Sequence, residues 1–228
     1  MTQDTKQRLL DAAERLFGSH GFAETSLRAL TQEAGANLAA VNYHFGSKEA
    51  LFQAVVERLV GWVNRERIRQ LDELEMGGRQ PSVEELMRAF IGPALDLGRD
   101  DEQSERMRKL MGRIRFEGDS TDEQMAEVFR EVEQRFGPAF RRAAPHLSEE
   151  AFFWRLHFTI GVMCSTLFNP GQIRVISRGA CDPADADETL EQMVRFVTAG
   201  FEAQVSDVGP SGRAGVSAGG RQEGEGES

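Results

Sequence analysis

Residues 38–51 read LAAVNYHFGSKEAL, and they contain the only tyrosine of the chain, Tyr43. On a helix advancing about 100° per residue, Leu38, Val41 and Phe45 fall in one narrow sector and are expected to face inward. Ala39, Ala40, Tyr43 and His44 fall on the other side, with Asn42 at the edge. The two alanines keep the start of that outer face low, which permits close approach to another surface. Gly46 breaks the helix, and Ser47 is placed to cap the next one.

Upstream, Thr25 or Ser26 can cap a short helix that runs to Ala34 and stops at Gly35. Two short helices joined by Gly35-Ala36-Asn37 have the layout of a helix-turn-helix, whose second helix enters the DNA major groove. Lys48 and the backbone N–H groups at the helix start after Ser47 suit a phosphate. A blander reading is a short surface helix with one exposed tyrosine.

Helical periodicity extends over most of the chain. Asp4 to Gln7 is a capping-box pattern followed by Leu9, Ala13, Leu16 and Phe17, with Gly18 and Gly21 as the stop. The helix after Ser47 places Leu51, Val55, Leu59 and Trp62 on one stripe and reaches the low 70s. Gly77, Gly78 and Pro81 interrupt it. Capping boxes recur at Ser82–Glu85, Thr121–Gln124 and Asp185–Glu188, and Ser148 starts a helix between the last two. No β-alternation, phosphate-binding glycine loop or internal repeat is present. From Val205 the chain is rich in Gly, Ser and Glu and reads as a disordered tail.

The 228 residues carry a net charge of −10, with 28% charged and 40% hydrophobic side chains. The acidic excess lies outside the first fifty residues, which hold five Lys/Arg against six Asp/Glu. Long-range attraction to DNA is therefore weak, while a local cationic surface is not excluded. No run of some 18 uncharged apolar residues occurs, so no membrane span is expected. The start of the chain lacks a basic segment followed by an apolar one, which points to the cytoplasm. Cys164 and Cys181 form no metal cluster and are expected to be reduced, with Cys164 in the core. His20, His44, His146 and His157 form no ligand pair, and no nucleophile motif is present. No catalytic residue, metal or cofactor is expected.

The segment RLLDAAERLFGSHGFAETSLRALTQEAGANLAAVNYHFGSKEALFQAVV resembles the DNA-binding domain of the TetR family of transcriptional regulators. The likeness is carried by Ala12-Ala13, Leu16-Phe17, Gly21-Phe22, Thr25-Ser26, Ala34-Gly35, Tyr43-His44-Phe45, Ser47-Lys48-Glu49 and Leu51. It implies an all-α protein: a three-helix DNA-binding domain with a helix-turn-helix, then a larger helical domain for ligand and dimer contacts. The expected division is 1–46 for DNA, 47–204 for ligand and dimerisation, and 205–228 for the tail. The resemblance assigns base or phosphate contact to Thr25, Arg28, Ala39, Ala40, Asn42, Tyr43, His44 and Lys48. Arg28 suits guanine, and the alanines suit thymine methyls. Asn42 stands where many members have a first aromatic, and Thr31 where a small Ala is usual. The implied partners are a palindromic double-stranded operator, a small effector and a second copy of the chain.

In the C-terminal part, Met107, Leu110, Met111 and Ile114 share a helix face flanked by Arg106, Arg113 and Arg115, and the next helix brings Met125, Phe129, Phe136 and Phe140. These residues are either ordinary core or the lining of an adaptable apolar pocket. Residues 149–168 are apolar nearly all round except for Arg155. Phe153, Leu156, Ile160, Cys164 and Leu167 form a stripe that includes His157, a core histidine or a polar anchor for a ligand. The candidate ligand site is Met107, Met111, Ile114, Arg115, Phe129, Phe153 and His157. Segments 107–120 and 145–163 are similar to TetR members of the PsrA type, which respond to fatty acids or their thioesters. That similarity implies a hydrophobic effector; a planar aromatic or cationic compound is the alternative, and a helical adaptor without DNA binding is the alternative of another class. Helices 149–168 and 185–204 are expected to pair with their symmetry mates, the second through Leu190, Met193, Val194, Val197 and Phe201, with Gly200 allowing close approach.

Overall fold

The computed structural model describes residues 2–96, 102–117 and 122–204. Every regular element among them is helical: α1 (Thr2–His20), α2 (Leu27–Glu33), α3 (Leu38–His44), α4 (Lys48–Glu75), a 3-10 turn (Met76–Gly78), α5 (Val83–Asp96), α6 (Glu102–Glu117), α7 (Asp122–Ala143), α8 (Glu149–Phe168), α9 (Gly171–Ile176) and α10 (Ala186–Glu202). The expected all-α class holds. The tail and the Thr121 cap lie outside the described residues.

Local chemistry sets most boundaries. Ser82 and Glu85 form the reciprocal box, Ser82 N donating to the Glu85 carboxylate at 2.9 Å and Glu85 N to Ser82 Oγ at 3.2 Å. Ser148 and Asp185 accept from the backbone N–H groups of Ala151 and Glu188. The Asp4 box fails, because α1 already starts at Thr2. Helix α1 also runs through Gly18, since a helical glycine costs only about 1 kcal/mol, and it stops at Gly21, where φ is 87°. The short helix α9 is not anticipated by periodicity; two turns are too few to produce one.

Two hydrophobic clusters form. The first joins α1 to α3, the start of α4 and one face of α6, around Leu9, Phe17, Leu30, Val41, Leu51 and Phe52. The second joins the end of α4 to α5, α7, α8 and α10. Helix α4, with 28 residues, passes through both. Phe168, at the end of α8, packs against each of them.

The second cluster has an aromatic centre. Phe140 lies 5.5 Å from Phe201, 6.0 Å from Phe136 and 6.3 Å from Phe90, between ring centroids. The α10 residues Met193, Val194, Val197 and Phe201 are buried here. They pack against α5 within the chain and so are not offered to a partner. Trp62 leaves its expected stripe and is 43% exposed, and Cys164 is half-buried. Phe140→Ala is expected to lower stability by about 3–5 kcal/mol, read as a shift in the urea midpoint of the far-UV circular dichroism signal.

Candidate nucleic-acid interface and its coupling to the helical domain

Three side-chain caps build the surface around Tyr43. Ser26 accepts from Ala29 N, Asn37 from Ala40 N and Ser47 from Ala50 N, at 3.0–3.1 Å. The turn between α2 and α3 requires a left-handed residue, and Gly35 supplies it with φ 58°. Arg8 of α1 clamps this turn, donating to the carbonyls of Ala34 at 3.1 Å and Gly35 at 3.3 Å. A Cβ at position 35 would lie 3.2 Å from the same Arg8 nitrogen. Beneath the turn, the rings of Phe17, Phe22 and Phe52 meet pairwise at 5.0–5.8 Å.

On this support α3 presents Tyr43, 78% exposed, with its ring edge-on to His44 at 5.0 Å. Ala39, Asn42 and Arg28 are exposed on the same molecule, while His44 and Ala40 are half-buried. Lys48 is half-buried, with its ammonium 4.3 Å from the centre of the Phe22 ring and 3.5 Å from the Ala23 carbonyl. Two expectations need correction. Thr25 is only 3% exposed, and its hydroxyl donates to Gly21 O at 2.6 Å. Its side chain therefore shapes the α1–α2 turn and is not available to a phosphate. Leu38 is 51% exposed: side chains on a helix lean toward its N-terminus, so the first residue of α3 points past the core. Thr31 is buried and donates its hydroxyl to Arg28 O at 3.0 Å, which accommodates the larger residue.

The helical domain is bolted to this unit through Glu14. That buried carboxylate of α1 pairs with Arg58 of α4 and with Arg106 of α6, the latter at 2.6 Å. Arg58 also donates to Asp11 at 2.7 Å, and Arg113 of α6 donates to the His20 carbonyl at 3.1 Å. Met107 and Ile114 are buried at this junction, with Met111 and Phe129 packed beside them. The expected ligand residues of α6 and α7 thus meet, but they form the seam against α1 and α4. Phe153 and His157 do not join them. Both are exposed on the outer face of α8, because Phe152, Thr159 and Met163 take the inner one. The Arg115 side chain lies outside the described residues. An open cleft of about 730 Å³ between α8, α9 and α10, bordered by Val162, Thr166, Ile173 and Phe196, contains none of the expected ligand residues.

The family profile described as bacterial regulatory proteins, tetR family, matches residues 9–55, and that of the tetracyclin repressor-like C-terminal domain matches residues 88–200. The chain belongs to the TetR family. It is 30% identical over 97 residues to the uncharacterized HTH-type transcriptional regulator YerO of Bacillus subtilis, covering 42% of this chain and 32% of that one. It is 39% identical over 74 residues to the nicotine-responsive transcriptional repressor HdnoR of Paenarthrobacter nicotinovorans, covering 32% of this chain and 38% of that one. The chain thus spans only about a third of the length of these curated relatives. The solved structure of SmeT, the repressor of the Stenotrophomonas maltophilia multidrug efflux pump SmeDEF, aligns over 86% of this chain and 91% of its own, with a TM-score of 0.54 and 24% identity. The two profiles account for the amino-terminal helices and for most of the helical domain after them.

Two further features of the helical domain lie on α4 and α8. Arg67 of α4 is 3% exposed, and burial pushes its guanidinium down to about 10, so it still carries its charge at neutral pH. Its position is legible in hindsight: Val56, Val60, Val63 and Leu71 set an apolar stripe, and Arg67 interrupts it. The second is the outer face of α8, where Trp154 stacks on Phe158 at 5.7 Å and lies beside Phe153 and His157. By length and composition α8 is apolar enough to cross a membrane, a match that Arg155 hides from a count of uninterrupted apolar residues. Here Arg155 donates to the Phe201 carbonyl at 2.5 Å.

Removing the shared carboxylate takes away a charged acceptor from two arginines, but Arg58 keeps Asp11 and both guanidinium groups reach solvent. Glu14→Ala is therefore expected to cost about 1.5–3 kcal/mol of stability. Arg106→Ala should cost about 1 kcal/mol, because Arg58 still neutralises Glu14. Urea unfolding of both variants checks the order.

Proposed function

We propose that the chain is a cytoplasmic homodimeric repressor that leaves a palindromic operator when a long-chain acyl compound, a fatty acid or acyl-CoA, enters its helical domain. It has no catalytic role in this reading. Residues 1–46 bind DNA, 47–204 sense the effector and dimerise, and 205–228 form a tail outside both tasks. The observation that carries the reading is Tyr43: an aromatic 78% exposed, on a helix whose cap, turn and core are all satisfied internally, with space for a sugar-phosphate wall. Arg28 and Asn42 read bases, Ala39 and Ala40 allow close approach, and Tyr43, His44 and Lys48 hold the backbone. The outer face of α8, with Phe196 of α10, meets a second copy. This places one recognition helix per half-site, with half-sites roughly 34–36 Å or a multiple apart.

The effector acts by favouring the state whose recognition helices no longer match that spacing. The seam of Met107, Met111, Ile114 and Phe129 transmits the change to α1 and α4. A gel shift with the chain's own upstream region tests the DNA half. Tyr43→Ala should weaken binding to all sequences, and Arg28→Ala should also relax base preference by about 1–3 kcal/mol. Unchanged operator affinity in both variants would exclude this docking. Lys48→Ala is the poorer probe, because Lys48 also packs on Phe22.

For the effector half, operator release is titrated with an acyl chain-length series beside planar aromatic and cationic compounds. Release should strengthen with chain length, since each buried CH₂ contributes about 0.8 kcal/mol. Release by planar or cationic compounds alone would end the acyl reading and leave the DNA reading intact.

A further inference from the structure

Arg67 lies inside the second cluster, where charges are rarely left without a counter-charge. Its guanidinium carries five N–H donors. Nε donates to the Phe90 carbonyl at 2.7 Å, one terminal nitrogen to Asn64 Oδ1 at 3.2 Å, and the other reaches only the Met163 thioether at 3.5 Å, a weak acceptor. The Phe90 ring lies 4.5 Å from the guanidinium carbon. Among the described residues no carboxylate pairs with it. Two other arginines that reach inward have an acid or a pair of carbonyls: Arg58 has Asp11 and Glu14, and Arg8 has Ala34 and Gly35.

We propose that Arg67 anchors the effector's negatively charged head group, and that this group is the compact carboxylate of a free fatty acid. This rests on the acyl reading above and narrows it. A carboxylate can replace the thioether of Met163 and take two parallel N–H bonds from the guanidinium. Methionine is the side chain best able to move aside for it, having three rotatable bonds and no branch. The chain of the ligand then lies among Phe90, Val63 and Met163, next to the seam with the DNA-binding unit. A thioester offers no such anion, and the phosphates of coenzyme A are too bulky to follow to a guanidinium that is 3% exposed. A cationic effector would be repelled.

The test is calorimetric titration of the full chain with decanoate, decanol and decyltrimethylammonium, which share one tail and differ in head group. Decanoate should bind about tenfold tighter than decanol or better, and the ammonium compound should not bind. Arg67→Met should remove the preference, binding decanoate no better than decanol. Arg67→Lys, which keeps the charge and loses the fork, should fall between the two. Equal affinity for decanoate and decanol in the unaltered chain overturns the anchor while sparing the acyl reading, and this arm needs no variant to fold. Retention of the preference in Arg67→Met overturns it as well. If no decyl compound binds, the acyl reading falls and 1-naphthoate decides the anchor: thermal stabilisation that Arg67→Met abolishes supports an anion site, and its lack removes the site too.

Discussion

Glu14 is a carboxylate held between two arginines from different helices, and neither the DNA-binding unit nor the helical domain can shift without disturbing it. A buried ion pair contributes little net stability, yet losing one member is expensive. Such a group therefore fixes geometry more than it raises stability. It fixes α1 against α4 and α6. From α1 the constraint passes to Arg8, which holds the carbonyls of the α2–α3 turn, and from the turn to the orientation of Tyr43. The path from the helical domain to the DNA-facing surface is thus a short series of named contacts, all polar and all directional.

Helix α4 supplies a second, stiffer path. Its first half is buried among α1 to α3 and its second half among α5, α7 and α8. A helix of this length bends only gently, so it offers a mechanical link between the surroundings of Arg67 and those of Leu51 and Phe52. Coupling need not be large: a tenfold loss of operator affinity corresponds to only about 1.4 kcal/mol of difference between two states.

Much of this was legible in the sequence because it depends on local rules. Ser47, Ser82 and Ser148 cap where short polar residues precede an apolar periodicity, and Gly35 marks a left-handed turn whatever surrounds it. Tyr43 was legible as exposed because Val41, two residues away, had to be buried. The errors arise where tertiary context decides. Phe153 and His157 lie on a helix apolar nearly all round, and periodicity cannot say which side of such a helix the core takes. The α10 stripe has a clear inward face, but only the position of α5 reveals that the chain itself covers it. Thr25 illustrates the limit at atomic scale: a hydroxyl suited to phosphate finds a carbonyl 2.6 Å away first.

The charge distribution explains why the proposed docking draws on so few side chains. Arg8, Arg15 and Arg58 are all committed to internal partners, Arg15 to Glu33 at 3.0 Å. Of the four Lys/Arg on the first three helices, Arg8 and Arg15 are thus structural, and the rest of the chain adds an acidic excess within the total of −10. Non-specific affinity for DNA grows with the number of phosphates a protein neutralises, and so does its salt dependence. A surface with few uncommitted cations must be weak on both counts. In the proposed docking, discrimination then rests on short-range fit at Arg28, Asn42 and the two alanines, with helix N-termini supplying part of the phosphate attraction. Such a balance suits a ligand-controlled switch: when most of the binding energy is directional, a small rotation of α3 removes it, whereas a diffuse cationic surface would stay bound after the rotation.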